Sequence, residues 1–145
     1  MRGILLCVGF LMAGLVAAMP GLPWIVEIGD DDEVAAVSSA FPGLRVPLQV
    51  ESSSPSVVSW EKAPHGKNLW MLTYSVGEVG TQHLYREQRR AVVDVASREV
   101  LADLVWKYVP GKGSPSVRQP VWEWKSKELK VRDEAFGRSF RVGIR

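Results

Sequence analysis

From Pro23 onward, short apolar runs alternate with polar breaks, and most of the runs repeat every second residue. Leu69 to Val76 is the cleanest example. Leu69, Met71, Thr73 and Ser75 share one face, while Trp70, Leu72, Tyr74 and Val76 share the other. This alternation predicts a strand with two distinct faces. Gly77 to Gly80 predicts the turn that follows it. The strongest hairpin signal is Ala91–Ala96 joined to Glu99–Trp106 through Ser97-Arg98. The β-branched residues on both sides of a short polar pair carry that signal. Ser-Arg is not a favoured two-residue turn, so a longer, bulged loop is the alternative there. Val121–Lys125 and Leu129–Arg132 predict a last hairpin, and Ser139–Ile144 a closing strand. Weaker strand signals cover Pro23–Ile28, Arg45–Val50 and Val57–Glu61. Ser52–Ser56, Pro64–Asn68 and Pro110–Pro115 predict loops.

One segment departs from the period of two. Val34, Val37 and Phe41 recur at i, i+3 and i+7. Asp30–Glu33 offers an N-cap and places acids in a first turn, and Pro42-Gly43 offers a stop. A helix over Asp31–Phe41 is expected. The order is then strand, one helix, and a run of antiparallel strands. It predicts an α+β domain in which one short N-terminal helix packs on a mainly antiparallel meander sheet. A cystatin-like arrangement has this order, as an analogy of architecture that carries no function. A small all-β sandwich or barrel, with the helix as a side element, is the alternative.

The N-terminus has a different character. Met1-Arg2 is a short positive start, Gly3–Met19 is a run of 17 residues without a charge, and Val16-Ala17-Ala18 supplies small residues. This predicts a secretory signal peptide over 1–18 and one exported globular domain over 19–145. The run also reaches the lower edge of a membrane span, so an uncleaved anchor is the alternative. Cys7 follows Leu6 and lies inside the run, which does not suit a lipoprotein anchor.

Composition then narrows the chemistry. Cys7 is the only cysteine and departs with the signal. The mature chain has no thiol for a disulfide, a nucleophile or a metal. Its 127 residues are enough for a single core. A periplasmic or secreted location is expected. Charge is unevenly spread. Residues 19–60 carry one base and six acids, whereas 61–145 carry 16 bases and 10 acids. Such a split suits steering of an acidic partner, and interspersed charges also suit the solvated faces of strands.

No catalytic motif stands out. His65 and His83 are the only histidines and have no helical spacing, so no metal site is assigned. Ser114, in Gly113-Ser114-Pro115, lacks the second glycine of a nucleophile elbow. With Ser97-Arg98 as a hairpin tip, Asp94 and Asp103 become diagonal neighbours on one face. Two carboxylates so placed could serve a hydrolase acting on a glycoside. The alternative is a pair of exposed acids answered by Arg86, Arg89 or Arg90.

The mature chain retains all six tryptophans. Trp122 and Trp124 fall on one face of one strand, and Trp106 and Tyr108 on one face of the strand before. One reading makes the indoles the core and its rim, with Leu129 and Val131 alongside Trp122 and Trp124. The other, because each buried indole N–H needs a partner, places some of them at a recognition surface. The candidate binding residues are Trp106, Trp122, Trp124, Lys125 and Arg132. The expected function is a non-catalytic exported binding protein of inhibitor or immunity type with an envelope protein as partner. No cofactor and no nucleic acid are assigned, although peripheral membrane or anionic glycan contact fits the basic surface. A carrier or sensor of a small apolar or anionic ligand is the second reading, and the Asp94/Asp103 hydrolase the third.

Overall fold

A computed structural model describes residues 23–50, 55–79, 85–110 and 118–144. Ten strands make three antiparallel sheets. The N-terminal sheet joins β1 (Ile25–Ile28), β2 (Val34–Val37) and β3 (Arg45–Pro47) in that order. The central sheet is a meander of β4 (Ser56–Lys62), β5 (Leu69–Val79), β6 (Tyr85–Asp94) and β7 (Glu99–Pro110). The C-terminal sheet places β9 (Glu128–Asp133) between β8 (Val121–Trp124) and β10 (Arg138–Gly143).

The expected α+β class, with a helix packed on a sheet, is overturned. The described residues contain no helix, and the predicted helix is a strand and two turns. Gly29 N–H donates to Glu33 O at 2.8 Å, and Asp32 takes a left-handed φ of 58°. Aspartate tolerates that region better than most residues, so the acids form a hairpin turn rather than a helix start. Val34–Val37 then pairs on both sides, and Ala36 lies between Val26 and Val46 in register. All three are fully or almost fully buried. After β2 the chain turns through Ser38–Gly43, where Ser38 Oγ accepts from Ala40 N–H and Gly43 has φ 77°. Two flanking strands and apolar burial override a weak three-residue stripe.

The central sheet is covered on both faces, which explains its two-sided apolar pattern. Leu72, Tyr74, Val76, Ala91 and Val93 join Val26 and Val46 of the N-terminal sheet, and the flanking Trp24 and Leu48, in one core. Leu69, Met71 and Val92 join Leu129, Val131 and Ile144 in a second core on the opposite face. Each large apolar side chain so buried contributes about 1.5–3 kcal/mol. β5 continues past the expected turn at Gly77, with a bulge between Ser75 and Gly77. Cys7 is the only cysteine, so the chain contains no pair to form a disulfide. The predicted signal peptide, His83 and Ser114 lie outside the described residues.

Candidate functional site

The C-terminal sheet carries the residues singled out from the sequence, but on two different faces. Trp122 pairs with Val131 and Trp124 with Leu129, so both indoles turn inward with those buried aliphatics. Trp106 meets Trp122 edge-on, with ring centroids 5.9 Å apart. Trp122 Nε1–H donates to Val105 O at 3.1 Å. The three indoles are half-buried and join β7 to the C-terminal sheet. Arg132 lies on the outer face, where its guanidinium pairs with Glu123 at 2.8 Å. Lys125 is exposed just after β8. The structure therefore brings the three tryptophans together and separates them from Arg132.

Arg90 closes the aromatic cluster. Its guanidinium carbon stands 3.4 Å from the centroid of Trp106. Arg90 Nε–H donates to Thr73 Oγ1 at 3.0 Å, and a terminal nitrogen pairs with Glu61 at 2.7 Å. Burial pulls the Arg90 pKa below its ordinary value, against the opposing pull of Glu61. A charge stacked on an indole and held at both ends is a fixed joint. Nothing in the spacing of Arg90 and Trp106 announces this contact, because the bulges in the β6–β7 pairing set it.

The Asp94/Asp103 pair is not assembled. Asp94 pairs with Leu69, a member of the second core, and Asp103 pairs with Ala91, a member of the first. The two carboxylates thus lie on opposite faces of the central sheet. The bulge between Val92 and Val93 shifts the expected register, and the turn spans Val95–Arg98. Asp94 Oδ1 accepts from the Ala96 and Ser97 N–H groups and caps that turn. Asp103 Oδ2 accepts from the Tyr74 hydroxyl at 2.5 Å, and Oδ1 accepts from Arg89 Nε–H at 2.9 Å. Arg89 also donates to Asp103 O and to Glu87. Burial raises the Tyr74 pKa, and the neighbouring Asp103 charge raises it further. Burial pulls the Arg89 pKa down, but Asp103 and Glu87 outweigh it and leave the value raised.

The edge of the C-terminal sheet is the most open part of the described fold. β10 is exposed along most of its length, and Phe140 and the adjoining Phe136 are 38% and 59% exposed. Ile144 N–H donates to Lys127 O at 2.9 Å, which sets the ladder between β10 and β9. Alternation then turns the backbone groups of Arg138, Phe140 and Val142 toward β9. Those of Ser139, Arg141 and Gly143 face away from the sheet, where no described strand pairs with them. Arg141 makes only a loose pair with Glu128 at 3.6 Å and is 69% exposed.

Among the described residues no group of three or more His, Cys, Asp or Glu side chains is placed to hold a metal ion. Compared with known proteins, the chain matches no family model, no curated protein and no solved structure.

Proposed function

We propose that this chain is a non-catalytic binding protein that accepts an extended, acidic segment of a partner protein along β10. The supporting observation is the open β10 edge, with the backbone of Ser139, Arg141 and Gly143 turned outward beside exposed Phe140, Arg138 and Arg141. An added strand gains main-chain hydrogen bonds there, and apolar side chains on alternate positions reach Phe140 and Phe136. Acidic residues on the other positions meet Arg141 on the opposite face, which favours that partner over a neutral strand. Trp106, Trp122 and Trp124 serve this reading from behind, by holding the sheet rigid against the core. Lys125 and Arg132 add to the basic field of the same sheet. An exported setting, periplasmic or secreted, belongs to the same proposal and rests on the apolar N-terminal run.

The test is a titration of the isotopically labelled chain with an extended peptide of alternating Val and Glu, followed residue by residue in amide NMR spectra. The Ser139, Arg141 and Gly143 amides are expected to shift together and saturably. Arg141→Glu is expected to weaken the shifts strongly and leave the remaining spectrum folded. Shifts centred on the N-terminal sheet, or binding indifferent to the charge reversal, would refute the proposal.

A further inference from the structure

Asp133 is a carboxylate with an unmet demand. It ends β9, is 5% exposed, and pairs in register with Arg138. Its Oδ2 accepts from the Tyr108 hydroxyl at 2.9 Å. Its Oδ1 is buried and meets no donor. Burial raises the Tyr108 pKa and the hydrogen bond to Asp133 adds to the rise, so the phenol stays a donor through the neutral range. A buried carboxylate oxygen without a donor costs free energy, and that cost is recovered by any ligand that brings one.

Two hollows touch this residue. The larger, of about 310 Å³, is lined by Asp133, Arg118, Gln119, Glu134 and Ala135. The smaller, of about 60 Å³, lies beside Arg138 and Phe140. The larger falls at the small end of ligand pockets, which run from roughly 300 to 1,000 Å³. Arg118 is held there by an antiparallel bridge to Tyr108, with N–H···O distances of 2.8 and 3.4 Å. The same Tyr108 therefore bonds the buried carboxylate through its hydroxyl and fixes the main chain of exposed Arg118.

The charges decide the ligand class. Asp133 and Glu134 oppose a simple anion, and Arg118 and Arg138 oppose a simple cation. A molecule with both signs a few bonds apart meets each in turn. We infer that the larger hollow beside Asp133 binds a small zwitterion of the α-amino acid class, its ammonium pairing with the Asp133 carboxylate and its carboxylate accepting from Arg118. The inference is independent of the strand-addition reading, because it uses the end of β9 rather than the outward backbone of β10.

The test is calorimetric titration of the whole chain with the common L-amino acids one at a time, and with glycine ethyl ester and acetate as the two half-probes. At least one amino acid is expected to bind at least about tenfold tighter than either half-probe. Asp133→Asn keeps an acceptor for the Tyr108 hydroxyl while removing the charge, and is expected to weaken that binding at least about tenfold. Arg118→Ala, at an exposed position, is expected to do the same without touching the core. The inference is overturned by no saturable heat with any amino acid, by a half-probe that binds as tightly, or by undiminished binding in both variants.

Discussion

On the face of the central sheet beneath the N-terminal sheet, Tyr74, Asp103 and Arg89 satisfy one another, and Gln49 N–H donates to the Tyr74 oxygen at 3.0 Å. Where the C-terminal sheet meets β7, Tyr108 and Asp133 make one bond and leave Oδ1 without a donor. The first face also has an unpartnered buried atom, the Trp24 Nε1, but that indole is neutral. On the C-terminal side the unpartnered atoms belong to charged groups, Asp133 and Arg132. The larger apolar core lies on the first face, and the hollows beside Asp133 adjoin the C-terminal sheet. The contrast separates a region whose charged groups satisfy one another from one that leaves a carboxylate and a guanidinium atom unpartnered, as the proposed binding site requires.

The comparison breaks most easily in the cores. Leu72 and Leu129 are both fully buried, one in each cluster. Leu72→Ala is expected to cost about 4 kcal/mol and Leu129→Ala about 2.5, because the smaller core can relax toward its neighbouring hollows. Urea denaturation of both variants reads the difference directly. Equal costs would mean that both faces are packed alike.

The polar groups give the next largest effect. Asp103→Ala leaves Arg89 and Tyr74 facing a gap, with a side chain on Arg89 that is only 19% exposed. The expected loss is about 2 kcal/mol, since Tyr74 loses its acceptor and Arg89 keeps only Glu87 and the main-chain carbonyl of residue 103. Asp133→Asn is expected to stay within about 1 kcal/mol of the parent, because among the described residues no cation pairs with it and the amide can still accept from Tyr108. Thermal melts of the pair sharpen the contrast. A large loss in Asp133→Asn would place the carboxylate in the framework rather than in the proposed binding site.

Much of the strand pattern was legible because period-two alternation is a local signal. β5, β7, β9 and their neighbours fall where Leu69–Val76, Glu99–Trp106 and Leu129–Arg132 alternate. The two faces of β5 sort into the two cores residue by residue. The Val34–Phe41 stripe misleads for a physical reason. Four residues of β2 cannot be told from one helical turn by spacing, and only pairing with β1 and β3 decides between them. Register is likewise non-local. Bulges at Gln88/Arg89 and Val92/Val93 move every contact across β6 and β7, which parts Asp94 from Asp103 and sets Arg90 over Trp106. The aromatic spacing of Trp122 and Trp124 foretold their common face alongside Leu129 and Val131, but only the pairing with β9 decides that this face is core rather than recognition surface.

The smallest expected effect concerns pH, and it tests whether the two tyrosines differ as their surroundings do. Burial raises the pKa of both Tyr74 and Tyr108 above the ordinary value of 10.0, so each phenol holds its proton more tightly in the folded chain than in the unfolded one. The stability this confers is complete below pH 10.0 and is lost as pH rises above it, because the unfolded chain then releases protons that the folded chain retains. Each such group steepens the alkaline limb by about 1.4 kcal/mol per pH unit. Tyr74→Phe and Tyr108→Phe are each expected to remove one such increment from the slope of stability against pH above that point. At neutral pH they should part company. Tyr74→Phe strands both Asp103 Oδ2 and Gln49 N–H, whereas Tyr108→Phe strands a carboxylate oxygen beside a hollow that water can enter. A Tyr108→Phe chain as destabilised at neutral pH as Tyr74→Phe would mean that the Asp133 side is as tightly closed as the other, and the binding role assigned to it would lose its physical basis.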